Sequence, residues 1–453
     1  MAVLRSDSPP EACRLNRQTV MPDPNTMQVS NASFPQDPGT QFRPPAEPGA
    51  AEGRPYRLAI LVSHPVQYFA PLFRRLAQQP EIDLTVLYCS LYGAKTVKDP
   101  GFGMTITWDI PLLEGYRYKE LKNYWRGQPK GFFSYISPGV ITELRKGAYD
   151  AVIVFGWGDL TSWLAFAGAS FTGVPWVLYG DSIILYEDGK GWLKQQVKRF
   201  VLGTLFKKTS AFLTMGKLNR LYYRRYGASP DKFFFMPYPV DNQFFHERAM
   251  PAKRRREELR AQHGIPSGAV LVLFVGKLVA RKRPQDLLAA LQILQPSIPE
   301  LAIAFAGEGE LRASLEARIS GLKNIYMLGF KNQTKLPEVY GMADILVLPS
   351  SEENWGLVLN EAMASGMPVI ASDKTGAAAD LVKSGENGFV YPCGKIAALA
   401  EAIRKLAADP DLRQRMGTRS HDIIQDFGYE KCLEGIVRAV KFIDRQKRIE
   451  NGE

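Results

Sequence analysis

Residues 345–372 read ILVLPSSEENWGLVLNEAMASGMPVIAS. An apolar run over 345–350 ends in a polar loop, and a helical pattern follows over 357–365. Gly366 closes it, and a second apolar run begins at Met367 with Pro368 just past the stop. Strand, loop, helix and strand in that order belong in an open sheet of parallel strands, because a parallel return needs a crossover helix. Gly356 stands where the helix begins. Lacking a Cβ, it lets a ligand approach the first free backbone N–H groups, where the helix dipole favours an anion. Glu353 lies before the helix and Glu361 inside it, with seven residues between. A phosphate seat flanked by two carboxylates suits a molecule with a pyrophosphate between two polyhydroxy rings, as in a nucleotide sugar. The plainer reading is a surface helix with two solvated glutamates. The glycine, the small-residue helix end and the flanking strands favour the site.

The runs Glu353-Asn354-Trp355-Gly356-Leu357 and Glu361-Ala362-Met363-Ala364-Ser365-Gly366 resemble the donor signature of the retaining glycosyltransferases of family 4, the group 1 transferases. The resemblance implies the GT-B fold: an α/β protein of two Rossmann-like doubly wound domains facing a cleft. It also implies roles. Glu353 contacts the donor sugar, Glu361 binds the ribose hydroxyls, and Gly356 with Leu357 meets the pyrophosphate, Trp355 lying in the same signature. Residues 275–282 (VGKLVARK) resemble the family's Gly-Arg … Lys element, whose two cations grip the donor phosphates. Lys277 stands where Arg is usual, which loses the bidentate fork; Lys282 matches the second cation, and Arg281 could share its role. Such cations neutralise charge growing on a diphosphate leaving group; the plainer reading is a solvated basic turn. Gly307, in Ala306-Gly307-Glu308-Gly309, resembles the family's Gly-acid-Gly turn. Phe330 and Lys331 stand where the family holds the base, and Gly376 where the donor sugar needs room.

The rest of the chain fits this frame. Residues 1–55 are rich in Pro, Gly, Ala and Glu and read as a disordered tail. Residues 56–245 read as the N-terminal, acceptor-side Rossmann-like domain, with strands over 56–64, 82–89, 151–155, 174–179, 211–214 and 233–236 and helices over 68–78 and 160–171. Residues 246–267 form a charged linker, and 268–428 the nucleotide-sugar domain. Residues 429–453 carry a helical pattern that, in a GT-B fold, crosses back to the first domain. Segment 160–180 carries no charge over 21 residues. Gly168, Gly173 and Pro175 divide it into a buried helix and a strand, which argues against a membrane span.

The first half offers weaker candidates. His64 and Gln67 occupy the first strand-to-helix loop, which lacks the Gly-Gly pair of many family members; Pro65 there also suits a plain helix entry. Residues 156–159 end another strand and could line the same cleft. Many relatives carry a donor-contacting histidine near 180; here Asp181 is the polar candidate. The predicted catalytic set is therefore Glu353, Lys282, Asp181 and His64. No Asp-x-Asp ends a strand, so no metal and no cofactor is predicted, the donor being a UDP- or GDP-sugar.

Charge adds a partner. Residues 191–260 hold sixteen Lys or Arg against five Asp or Glu, a surplus equal to the whole net charge of +11. An anionic partner follows: lipid headgroups, a lipid-linked phosphate acceptor, or nucleic acid. No recognised nucleic-acid module is present, which disfavours the last. Segment 191–208 is amphipathic and basic, with Trp192, Leu193, Val197, Phe200, Val201 and Leu205 on a broad face; it suits an anionic membrane or a core-packed helix equally. Cys13, Cys89, Cys393 and Cys432 show neither metal nor redox spacing, and no signal peptide is apparent, so a cytoplasmic location, peripheral on the membrane, is predicted. The expected activity is metal-independent transfer of a hexosyl-type sugar to an acceptor hydroxyl with retention, in polysaccharide or glycolipid assembly. A catalytically impaired nucleotide-sugar binder or scaffold, or an epimerase or phosphorylase of the same fold, are the alternatives.

Overall fold

The computed structural model describes residues 54–99, 101–125, 131–186, 191–319 and 322–451. The predicted tail thus lies outside the described residues except for Arg54 and Pro55. The first half runs β1 (Tyr56–Val62), α1 (Phe69–Ala77), β2 (Ile82–Tyr88), β3 (Val97–Asp99), β4 (Met104–Ile106), β5 (Tyr118–Glu120), α2 (Gly139–Lys146), β6 (Ala151–Phe155), α3 (Leu160–Thr172), β7 (Trp176–Tyr179), α4 (Trp192–Lys208), β8 (Ala211–Thr214), α5 (Lys217–Arg225) and β9 (Phe233–Phe235). After α6 (Asn242–Arg254) and α7 (Arg256–Gln262) come β10 (Val270–Val275), α8 (Gln285–Leu294), β11 (Leu301–Ala306), α9 (Arg312–Ile319), β12 (Ile325–Met327), α10 (Leu336–Met342) and β13 (Ile345–Leu348). The chain closes with α11 (Leu357–Ala364), β14 (Val369–Ser372), α12 (Ala378–Leu381), β15 (Gly388–Tyr391), α13 (Ile396–Ala408), α14 (Pro410–Ile424) and α15 (Tyr429–Asn451).

Two parallel sheets result, ordered β5-β2-β1-β6-β7-β8-β9 and β12-β11-β10-β13-β14-β15. Their central strands are almost wholly apolar, as strands covered by helices on both faces must be: β10 reads VLVLFV and is buried at every position. In each sheet the order reverses beside the first strand of the half, between β1 and β6 and between β10 and β13. Ligands bind at such switch points, beyond the carboxyl ends of the strands. Segment 160–180 divides as its glycines indicate, into α3 and β7, with Gly173 in the left-handed conformation (φ +71°) between them. Among the described residues no helix is long and apolar enough to cross a membrane.

Two segments tie the halves together. Residues 246–267 are not a free connector. Phe245, Ala249 and Ala252 form a buried stripe one helical turn apart, and Ala252 and the backbone at Ala249 pack so tightly on α10 that Gly341 has no room for a Cβ. The α15 helix returns to the first half: Tyr429, Cys432, Ile436, Ala439, Val440 and Ile443 share a core with β1, β2 and α1. Gly435 permits this, because a Cβ there would fall 1.9 Å from the carbonyl of Phe235.

Beneath the second sheet, Arg260 is fully buried. It bonds Asp344 (2.7 Å) and the carbonyls of Met342 (2.8 Å) and Ala269 (2.9 Å). A guanidinium stripped of water is tolerable only when its donors are matched in this way. Asp344→Ala is therefore expected to lower the urea midpoint of the second half by a loss of about 3 kcal/mol, since it removes the buried carboxylate and leaves Arg260 only the half-exposed Glu257 (3.4 Å) as counter-charge.

Candidate active site

The loops at the carboxyl ends of β10, β11, β13 and β7 meet in a cleft between the halves, around a cavity of about 580 Å³, within the roughly 300–1,000 Å³ range of small-molecule sites. Lys277, Lys282, Gly307, Phe330, Glu353, Trp355, Gly356, Leu357, Glu361 and Asp181 all line it. His64 does not. Its ring sits inside the first half, 2.9 Å from Ser63 Oγ and edge-on to Tyr92, and burial pulls its pKa below the ordinary value. Gln67 from the same loop does reach the cavity. Residues 156–159 serve the core: Trp157 stacks on Tyr222, and Asp159 caps α3 by accepting from Ser162 N (3.0 Å).

The β13–α11 turn is shaped by Gly356, whose φ is +104° and whose hypothetical Cβ would lie 2.8 Å from Leu348 Cδ2. A side chain is excluded both by backbone strain and by space. The first N–H groups of α11 consequently open into the cavity with no side-chain cap over them. Gly307 and Gly376 have structural reasons of their own. A Cβ on Gly307 would meet the Gly276 carbonyl at 1.9 Å, and one on Gly376 the Asn354 carbonyl at 1.9 Å. Gly376 thus lets two loops approach each other closely.

The charged groups are paired. Lys282 bonds Glu353, with Arg281 Nη1 3.7 Å from the same carboxylate. Lys277 bonds both oxygens of Asp99 (2.9 and 3.1 Å). Asp181 accepts from Asn354 Nδ2 (3.2 Å) across the cleft. Trp355 is mostly core. Its indole N–H donates to Asn360 (2.9 Å) and its ring stacks on Tyr238.

Glu361 is fully buried. Tyr68, from the first half, donates to Oε1 (2.8 Å), and Tyr340 to Oε2 (2.5 Å). Desolvation raises its pKa to about 7, and the two phenolic hydrogen bonds pull against that rise. Neither tyrosine was singled out from sequence, although Tyr68 lies in the same loop as His64. Asp99, Phe102 and Trp108 also line the cavity from a stretch without helical or strand periodicity. Among the described residues no three His, Cys, Asp or Glu stand together as a metal site would need.

Residues 255–422 match the family described as "Glycosyl transferases group 1". The chain is 29% identical over 214 residues to an alpha-D-kanosaminyltransferase of Streptomyces kanamyceticus, covering 46% of this chain and 54% of that protein. It is 33% identical over 221 residues to a D-inositol 3-phosphate glycosyltransferase of Streptomyces bingchenggensis, covering 46% and 47%. It spans about half the length of the curated relatives it matches. Anabaena Alr3699/HepE, solved in complex with UDP, superposes with a TM-score of 0.66 at 17% identity, over 85% of this chain and 99% of that one. Likeness at that identity shows the fold, which is GT-B.

A carboxyl whose folded pKa lies above its unfolded value favours folding below the unfolded value, and that contribution disappears as pH rises through the folded pKa. For Glu361 the window runs from 4.5 to about 7. Wild type is therefore expected to lose up to about 3 kcal/mol of stability relative to Glu361→Gln between about pH 5 and 8. Chemical denaturation of both proteins at the two pH values checks this; a constant difference would contradict it.

Proposed function

We propose that the protein is a glycosyltransferase of the group 1, family 4 type, moving a hexosyl-type sugar from a nucleoside-diphosphate sugar to an acceptor hydroxyl with retention. One observation carries the reading: two lysines, the open start of α11 and two glutamates converge on one cavity at the switch point of the second sheet. Lys277, Lys282 and the backbone at Gly356–Leu357 suit the two phosphates. Glu353 and Glu361 suit sugar and ribose hydroxyls. The family match over the same sheet supports this assignment.

The chemistry asked of these groups is electrostatic. As the sugar–phosphate bond breaks, negative charge collects on the diphosphate, and preplaced cations and N–H dipoles stabilise it. The leaving phosphate, on the face from which the acceptor arrives, takes the acceptor's proton. No carboxylate is required as a nucleophile. Excluding water from the cleft protects the donor from hydrolysis and strengthens every charge interaction within it. The lysines then do the work that a metal does in other transferases. Binding of donor without transfer would instead support the scaffold alternative.

For the acceptor side we place the protein at an anionic membrane surface, with a lipid-linked or polysaccharide acceptor. The buried apolar side chains of α4, Leu202, Leu205 and Phe206, all lie in its second half. In its first half Lys198 packs over the Tyr222 and Tyr226 rings, but the apolar side chains face out, Trp192 73%, Val197 56% and Phe200 76% exposed beside Lys194 and Arg199. Exposed aromatics among cations, with no acidic residue on the helix, match an anionic bilayer interface.

Incubation with a panel of UDP- and GDP-sugars is expected to release nucleoside diphosphate from one of them, and Lys282→Ala to slow that release by roughly 10²–10³-fold; undiminished release would remove Lys282 from the reaction. In vesicle co-sedimentation, wild type is expected to pellet with anionic but not with zwitterionic vesicles, and Trp192→Ser/Phe200→Ser to remain in the supernatant. Equal partitioning of both proteins would contradict the membrane reading.

A further inference from the structure

The β3–β4 hairpin belongs to the first half by sequence, yet it joins neither large sheet; its two strands pair only with each other. Tyr92 of the first half donates to its Lys98 carbonyl (2.9 Å), but the hairpin's charged and aromatic contacts cross the cleft. Asp99 holds Lys277 on the loop after β10. Phe102 meets Phe330 edge-on at 5.0 Å and lies under the Lys277 ammonium at 4.6 Å. Just beyond the hairpin, Asn332 Nδ2 donates to the Thr107 carbonyl (2.7 Å), and the Thr334 N–H to Asp109 (3.1 Å). The fit to the lysine is close: a Cβ on Gly101 would fall 2.7 Å from Nζ and 2.8 Å from Cδ. Asp99 is itself held in shape, its Oδ1 accepting from the N–H groups of Gly101 (2.7 Å) and Phe102 (3.0 Å).

Lys277 is a cation aimed into a ligand cavity with a protein carboxylate already on it. A diphosphate brought to the same ammonium would face that carboxylate, and two anions that close repel each other. We infer that Asp99 and Phe102 belong to the donor site: the Asp99 carboxylate occupies the place of a donor phosphate on Lys277, and an incoming diphosphate exchanges with it. This rests on the donor-site reading above and adds to it a residue from the opposite half. Burial by itself would raise the pKa of Asp99, but the Lys277 contact and the two backbone N–H groups outweigh it and hold it low, so the placeholder stays charged. The exchange matches one anion against another, so Lys277 is not left bare in the cleft. Phe102, resting on Phe330, then forms the wall at the end of the cavity where the base would lie.

The test is calorimetric titration of the full chain with inorganic pyrophosphate, and separately with UDP and GDP, for wild type, Asp99→Asn, Lys277→Ala and the double variant. Asparagine keeps the Oδ1 acceptor that shapes the turn, so the variant isolates the charge. Asp99→Asn is expected to bind pyrophosphate about five-fold more tightly than wild type, and Lys277→Ala to abolish that gain. Pyrophosphate bound by Asp99→Asn but undetectably by wild type has the same meaning. Unchanged or weaker binding by Asp99→Asn overturns the inference, and so does no pyrophosphate binding by any variant. In either event, retained UDP or GDP binding leaves the donor site standing, whereas its absence removes both.

Discussion

A carboxylate with no access to water, at the floor of a cleft between two halves, is the constraint around which this molecule is arranged. Glu361 is carried there by α11, a helix buried from Leu359 to Ala364. Burying that charge is costly unless hydrogen bonds replace the lost water. Two phenolic hydroxyls do so, and one of them, on Tyr68, belongs to the other half. The state of Glu361 and the closure of the cleft are therefore one problem. Parting the halves withdraws Tyr68 and leaves the carboxylate needing a hydroxyl from water or from a ligand.

The same logic runs along the cavity. Lys282 rests on Glu353, Lys277 on Asp99, and the α11 N-terminus faces open space. Lys277, Lys282 and Glu361 each have a protein partner that resembles some part of a nucleotide sugar: a carboxylate in place of a phosphate, a tyrosine hydroxyl in place of a ribose hydroxyl. A site satisfied in this way keeps its side chains oriented without collapsing. A ligand then gains affinity only by bettering those contacts, which favours a molecule offering several at once.

Much of the second half was legible because its signals are local. The Gly356 turn, the strand-ending lysine loop and the parallel strand pattern each lie within a few residues, and the backbone demands of Gly356 are visible in the residue type itself. The first half was harder. His64 looked like a cleft residue because strand-to-helix loops face clefts, but the chain turned it inward toward Ser63 and sent Gln67 and Tyr68 across instead. Asp99, Phe102 and Trp108 sit in a segment with no period to read, and their role depends on partners about 180–230 positions away in sequence. In α4, sequence showed one broad apolar face; the structure divides that face into a buried second half and an exposed first half, a split that only packing decides.

The most direct measurement is calorimetric titration of UDP and GDP into wild type and Glu361→Ala. If the buried carboxylate is the ribose end of a donor site, one nucleotide binds wild type and Glu361→Ala binds neither while remaining folded. Binding of neither nucleotide by folded wild type, or equal binding by both proteins, would contradict the donor site at the cleft.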